Sequence, residues 1–115
     1  MVASSAICDL LYQLGISANY KGFLHTAYAV SLCVEQQDRL LLVTKWLYPD
    51  VARKYGTNWK AVERNIRTVS TIAWKHNLPL LESLSHMHLD RRLRSAEFLA
   101  VLFHAVCSDE FERPA

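Results

Sequence analysis

The chain has 115 residues, 51% of them hydrophobic, which is one domain with enough apolar material for a real core and excludes a disordered chain. Three Gly and three Pro are too few turn residues for an all-β fold, and no apolar run approaches the roughly 18 residues of a membrane-spanning helix. Net charge is +2, but residues 39–75 hold eight of the 13 Lys and Arg and two of the 11 Asp and Glu, so that segment is +6 and the remainder −4. A basic centre of this kind suits a polyanionic partner; a solvated basic face is the plainer reading.

The segments follow a helical period throughout. Ser4 or Ser5 can cap a first helix that buries Ile7, Leu10, Leu11 and Leu14 and ends at Gly15. A second helix after Gly22 carries Phe23, Ala27, Val30 and Val34, and Gln36-Gln37-Asp38 breaks it. Arg39–Trp46 is apolar nearly all round and predicts a buried third helix. Pro49 should push Tyr48 out of helical geometry and itself open a short helix to Tyr55. Gly56 stops that helix, and Thr57 or Asn58 caps a long one running through Trp74 to about His76. Leu78–Ser85 predicts one or two helical turns. Ser95 can cap a last helix carrying Phe98, Leu99, Leu102, Ala105 and Val106. The expectation is an all-α, compact six-helix domain over 1–107, with a disordered tail over 108–115.

Ala52-x3-Gly56-x5-Val62 has the spacing of a helix-turn-helix. A small residue lets the two helices cross closely, a glycine takes positive φ in the turn, and Val62 packs the second helix back on the first. The same spacing fits a plain helical hairpin. The second helix adds weight. Val62, Ile66, Val69 and Ala73 form one apolar stripe, while Lys60, Arg64, Arg67, Thr71 and Lys75 recur on another face. Arg can bond a guanine edge through two hydrogen bonds, and Lys can bond phosphates. Thr57 and Asn58 stand where a helix N-terminus can meet a phosphate. Glu63 has two readings, an ion pair with Arg67 or acceptance of a cytosine amino proton. Trp46 and Trp74 read as core; Trp59 can pack on the preceding helix or touch the sugar-phosphate chain.

Five blocks in order, Ile16–Phe23, Val43–Ala52, Val62–Arg67, Ala73-Trp74 and Ser95–Ala100, resemble the family of the C-terminal effector domain of stage-zero sporulation protein A, the response regulator that starts sporulation. Family members read close to GIPAHIKGY, VTKxLYPDIA, RVERAIR, AW and NSEFIA there, and the resemblance covers about residues 7–107. It implies a six-helix DNA-binding domain with a recognition helix at about 58–75 and tandem copies on DNA. It also implies base and phosphate contacts at Glu63, Arg64 and Arg67. The family's Arg before Val is Ala61 here, and its His after the final Arg is Thr68, so the resemblance does not carry the family's target sequence over. Relatives carry a receiver domain with a phosphorylated aspartate; this sequence has no such segment, so phosphorylation is not expected as a switch within it.

Cys8, Cys33 and Cys107 are odd in number, lie in apolar helical stretches and lack a zinc spacing, which predicts buried free thiols. His86-x-His88 and His104-x-x-Cys107 are set aside as metal sites. No nucleophile motif or phosphate loop is present, so neither an enzyme nor a cofactor is expected. Residues 1–15 lack the basic start and cleavage site of a signal peptide, which predicts a cytoplasmic protein without membrane contact. The sequence therefore predicts a sequence-specific duplex-DNA regulator that reads the major groove through Thr57, Asn58, Lys60, Glu63, Arg64, Arg67, Thr68, Thr71 and Lys75. RNA polymerase is a further candidate partner. The rival reading is a module that pairs with a full-length regulator or polymerase without reading DNA strongly.

Overall fold

A computed structural model describes the backbone of residues 2–112 and the side chains of residues 5–108. Helices α1 (Val2–Gln13), α2 (Lys21–Glu35), α3 (Tyr48–Tyr55), α4 (Trp59–His76), α5 (Leu78–Ser85) and α6 (Ser95–Glu112) are joined without any strand among the described residues. Side chains 109–112 and residues 113–115, where a disordered tail is expected, lie outside the described set.

The core draws on all six helices. Ile7, Leu11 and Leu14 meet Phe23, Val30 and Cys33, and the cluster continues through Val51, Val62, Ile66 and Leu81 to Phe98, Leu99 and Leu102. On α2 the predicted Ala27 and Val34 are half-buried, while Ala29 and Cys33 take the deeper positions. Of the three thiols only Cys33 is fully buried, and burial pushes its pKa up to about 11; Cys8 and Cys107 are half-buried. α4 packs against α2, α3, α5 and α6 and is the central strut of the domain.

The predicted third helix, Arg39–Trp46, is not formed. A 3-10 turn, Gln37–Leu41, is followed by a π-helical turn, Val43–Leu47, with Leu42 between them at φ −140° and ψ 67°. Arg39 explains the break. Its guanidinium donates to the Trp46 carbonyl at 3.2 Å and pairs with Asp50, folding the segment back onto the start of α3. In a regular α-helix residues seven apart stand about 10 Å apart along the axis. The segment is also not buried: Leu41 is 76% exposed and Trp46 44%, so Trp46 is not core. Leu47 alone in this stretch is fully buried.

Tyr48 also departs from expectation. It is helical, at φ −60° and ψ −40°, despite the following Pro49. Its ring is 2% exposed. Burial, followed by the nearby Glu63 charge, pushes its phenol up to about 12, against a hydrogen bond with Ser95. Core packing here outweighs the local bias of an X-Pro pair.

The helix ends follow the sequence in part: Ser4 and Ser5, expected as caps, lie inside α1, which starts at Val2. Gly56 closes α3 in the left-handed region, φ 66°. Asn58, not Thr57, caps α4, its Oδ1 accepting from the Ala61 amide at 2.9 Å. Asn77 caps α5 by accepting from the Leu80 amide at 3.3 Å, with Pro79 in the first turn. Ser95 is already inside α6 and does not cap it. Glu97 instead reaches back to accept from the Arg94 amide at 2.8 Å, half of a capping box.

Candidate nucleic-acid interface

The α3–turn–α4 unit is built from short-range choices. Ala52 is 4% exposed and Val62 fully buried where the two helices meet. An added Cβ on Gly56 would meet nothing within 4 Å, so glycine is required there by φ alone. Beyond the turn, Val62, Ile66, Val69 and Ala73 are all fully buried. That stripe fixes which face of α4 is left outside.

The outer face is the predicted ridge. Lys60, Arg64, Arg67 and Lys75 are exposed, with Thr68 and Thr71 half-buried between them. Lys60, Arg64 and Lys75 make no ion pair among the described residues. Lys60 instead places its ammonium 5.9 Å from the Trp59 ring centre. The Thr68 and Thr71 hydroxyls donate to the carbonyls one turn back, Arg64 and Arg67, at 3.0 and 3.1 Å. Thr57 is exposed; Asn58 is exposed but its side-chain oxygen is committed to the cap. The structure thus brings Lys60, Arg64, Arg67, Thr68, Thr71 and Lys75 onto one side of one helix, with Thr57 and Asn58 at its entrance.

Glu63 stands at the edge of this face and is held from two sides. The Ser95 hydroxyl donates to its Oε2 at 2.8 Å, and the Arg67 guanidinium lies 3.7 Å from Oε1. The sequence anticipated the Arg67 pair but not Ser95, which is 32 residues away and 5% exposed. Tyr48, Glu63 and Ser95 together tie α3, α4 and α6 at one point. On the same flank the buried Ser70 hydroxyl donates to the Leu93 carbonyl at 2.6 Å.

The opposite flank is formed by α2, which contributes residues that the sequence reading left out. Gly22 abuts α4 so closely that a Cβ there would stand 2.8 Å from the Asn65 carbonyl oxygen. One turn on, His25 is 5% exposed, with Nδ1 3.3 Å from the Asn65 amide nitrogen. Its ring tilts on Tyr55 at 5.3 Å between centres. Burial, and then the charge of Lys21, lowers the His25 pKa below its ordinary value. Lys21, His25, Tyr55, Thr57, Arg64 and Asn65 line a cleft of about 490 Å³ where α2 faces the start of α4. A lone histidine in an apolar helical stretch gave no signal for this site.

The set-aside histidines are dispersed. His86 ends α5 with φ 58°, His88 pairs with Glu82 at 3.0 Å, and His104 is exposed. No group of three or more His, Cys, Asp or Glu able to hold a metal occurs among the described residues. Nor is any described helix long and apolar enough to cross a membrane.

A six-helix domain whose central helix turns a buried stripe inward and a basic ridge outward, behind a glycine turn, has the build of a DNA-binding regulatory domain. Residues 7–106 match the family described as sporulation initiation factor Spo0A C terminal. The chain belongs to that family, one of DNA-binding transcription regulation in sporulation.

Proposed function

We propose that this domain is a sequence-specific reader of duplex DNA that lays α4 in the major groove. The observation that carries this reading is the division of α4 into a fully buried stripe and a basic ridge whose Lys60, Arg64 and Lys75 have no acidic partner among the described residues. Arg64 and Arg67 lie one turn apart on that ridge and are the base readers. Lys60 and Lys75 contact phosphates, as do Thr57 and Asn58 at the helix entrance. Thr68 and Thr71 lie between them on the same surface. Glu63 orients Arg67 rather than reading a base, since both its oxygens are engaged within the protein. Copies on adjacent sites, and contact with RNA polymerase, extend the same reading.

The test is a competition titration on a preferred and a scrambled duplex. Arg64→Ala and Arg67→Ala should each lose about 1–3 kcal/mol of site-specific binding, with Arg67→Ala losing much less nonspecific binding. Lys75→Ala should weaken all sequences alike, because a phosphate contact carries no sequence information. If both arginine variants stay folded and keep full discrimination, the recognition-helix assignment is wrong. A protein-interaction module is then the better reading. One observation favours it independently: Leu41, Leu42 and Trp46 are exposed together beside Lys45.

A further inference from the structure

We propose that the cleft between α2 and α4 seats one backbone phosphate of the bound duplex, gripped by the Lys21 ammonium, the Arg64 guanidinium and the His25 Nε2–H. This assignment rests on the DNA-reading function and adds to it a contact from outside the recognition helix.

His25 carries the inference. It is 5% exposed, yet it lines the cleft with Lys21, Thr57 and Arg64. The Asn65 amide nitrogen, 3.3 Å from Nδ1, can only donate, so Nδ1 accepts. In a neutral imidazole the proton then sits on Nε2. Nε2 has no hydrogen-bond partner among the described residues. The ring is fixed by Asn65 on one edge and by the tilted Tyr55 ring on its face. An oriented donor on a nearly buried ring, accessible and without a protein acceptor among the described residues, flanked by two cations, suits a phosphate oxygen. The cleft opens beside Thr57 at the first turn of α4, where the backbone of a duplex lying on the ridge would pass. Arg64 sits between the ridge and the cleft, so phosphate seating and base reading are joined in one side chain.

The two new contacts differ in charge, and that difference is measurable. Duplex affinity is titrated against salt for the full chain and for Lys21→Gln and His25→Phe. Lys21→Gln should bind every duplex about tenfold more weakly, with the log–log salt slope shallower by about one, since one counterion fewer is released. His25→Phe keeps an aromatic ring against Tyr55 and loses the donor. It should bind every duplex roughly three- to tenfold more weakly with the slope unchanged, because a neutral donor releases no counterion. In the wild type, ring nitrogen NMR should show the Nε2–H form of His25, and its signal should move on adding duplex whether or not the phenylalanine variant folds.

Wild-type affinity in both variants, a changed slope in His25→Phe, or an unmoved His25 signal overturns the assignment. If that happens while the wild type still discriminates between duplexes, the cleft is wrong and the DNA reading stands. If the wild type shows no salt-dependent duplex binding, both fall. A His25 signal that moves with inorganic phosphate but not with duplex also overturns the proposal, by giving the cleft to a free anion.

Discussion

Replacing Gly22 by alanine sets two physical effects against each other. Intrinsic helix propensity favours the change by about 1 kcal/mol in a helix interior, and by less this close to the N-terminus of α2. Packing opposes it. The new Cβ would stand 2.5 Å from Val69 Cγ2, 2.6 Å from Tyr20 Cε2 and 2.8 Å from the Asn65 carbonyl oxygen. The first two are side-chain atoms, on a fully buried valine and a tyrosine ring, and yield only if those side chains turn. The third is backbone of the central helix, so α2 or α4 itself must shift. Overpacking of a tight core costs about 1–3 kcal/mol, and a backbone contact belongs in the upper half of that range. The net expectation is a loss of about 1–2 kcal/mol, at about 4–8 °C of Tm per kcal/mol for a domain near this size. Urea titrations followed by far-UV circular dichroism, with thermal melts beside them, read it directly. Gly56→Ala is the companion variant, with open space around the position, so its cost of about 1–2 kcal/mol comes from the left-handed backbone alone. A Gly22→Ala protein as stable as the wild type, or more so, would refute the close α2–α4 approach.

Ser95→Ala removes the donor to Glu63 and should lower stability by about 1 kcal/mol in a urea titration, the exposure of the carboxylate limiting the loss. Val62→Asp places an unpaired charge at a fully buried point between α3 and α4 and should abolish the cooperative melt. Stability should also fall with acid in two steps. Because burial lowers the His25 pKa, its contribution is complete above the ordinary 6.5 and is lost as pH falls from there toward the lowered folded value; His25→Phe should flatten that step. Asp50, held down first by its hydrogen bond from Arg39, and Glu97, held down first by that from Arg91, contribute above the ordinary carboxylate values and lose it as pH falls through their lowered ones. Urea stability measured against pH checks both steps.

The parts of this domain that were legible in the sequence are those fixed by neighbours along the chain. The α3 stop at Gly56, the cap at Asn58 and the stripe Val62, Ile66, Val69 and Ala73 each depend on residues within one or two turns. The ridge from Lys60 to Lys75 follows once the stripe is known. The segment after α2 misled because its composition suggests burial, whereas its geometry is set by Arg39 reaching Trp46 and Asp50. Gly22, His25 and Ser95 were illegible for a related reason. Their partners on α4 are Asn65 and Val69 for Gly22, Asn65 for His25 and Glu63 for Ser95, tens of residues away. A helical period says which face turns inward, not which atom on another helix it will meet.

The split character of α4 has a consequence for the choice of target. Half its circumference packs against four neighbouring helices, and the other half is largely exposed among the described residues. Ala61 and Thr68, where the sequence departs from the pattern it resembles, fall on or beside the exposed half, where exchange of one side chain leaves the core untouched. If α4 reads DNA as proposed, its contacts to a duplex can be changed one side chain at a time with each variant still folded, so the choice of target is separable from the architecture that carries it.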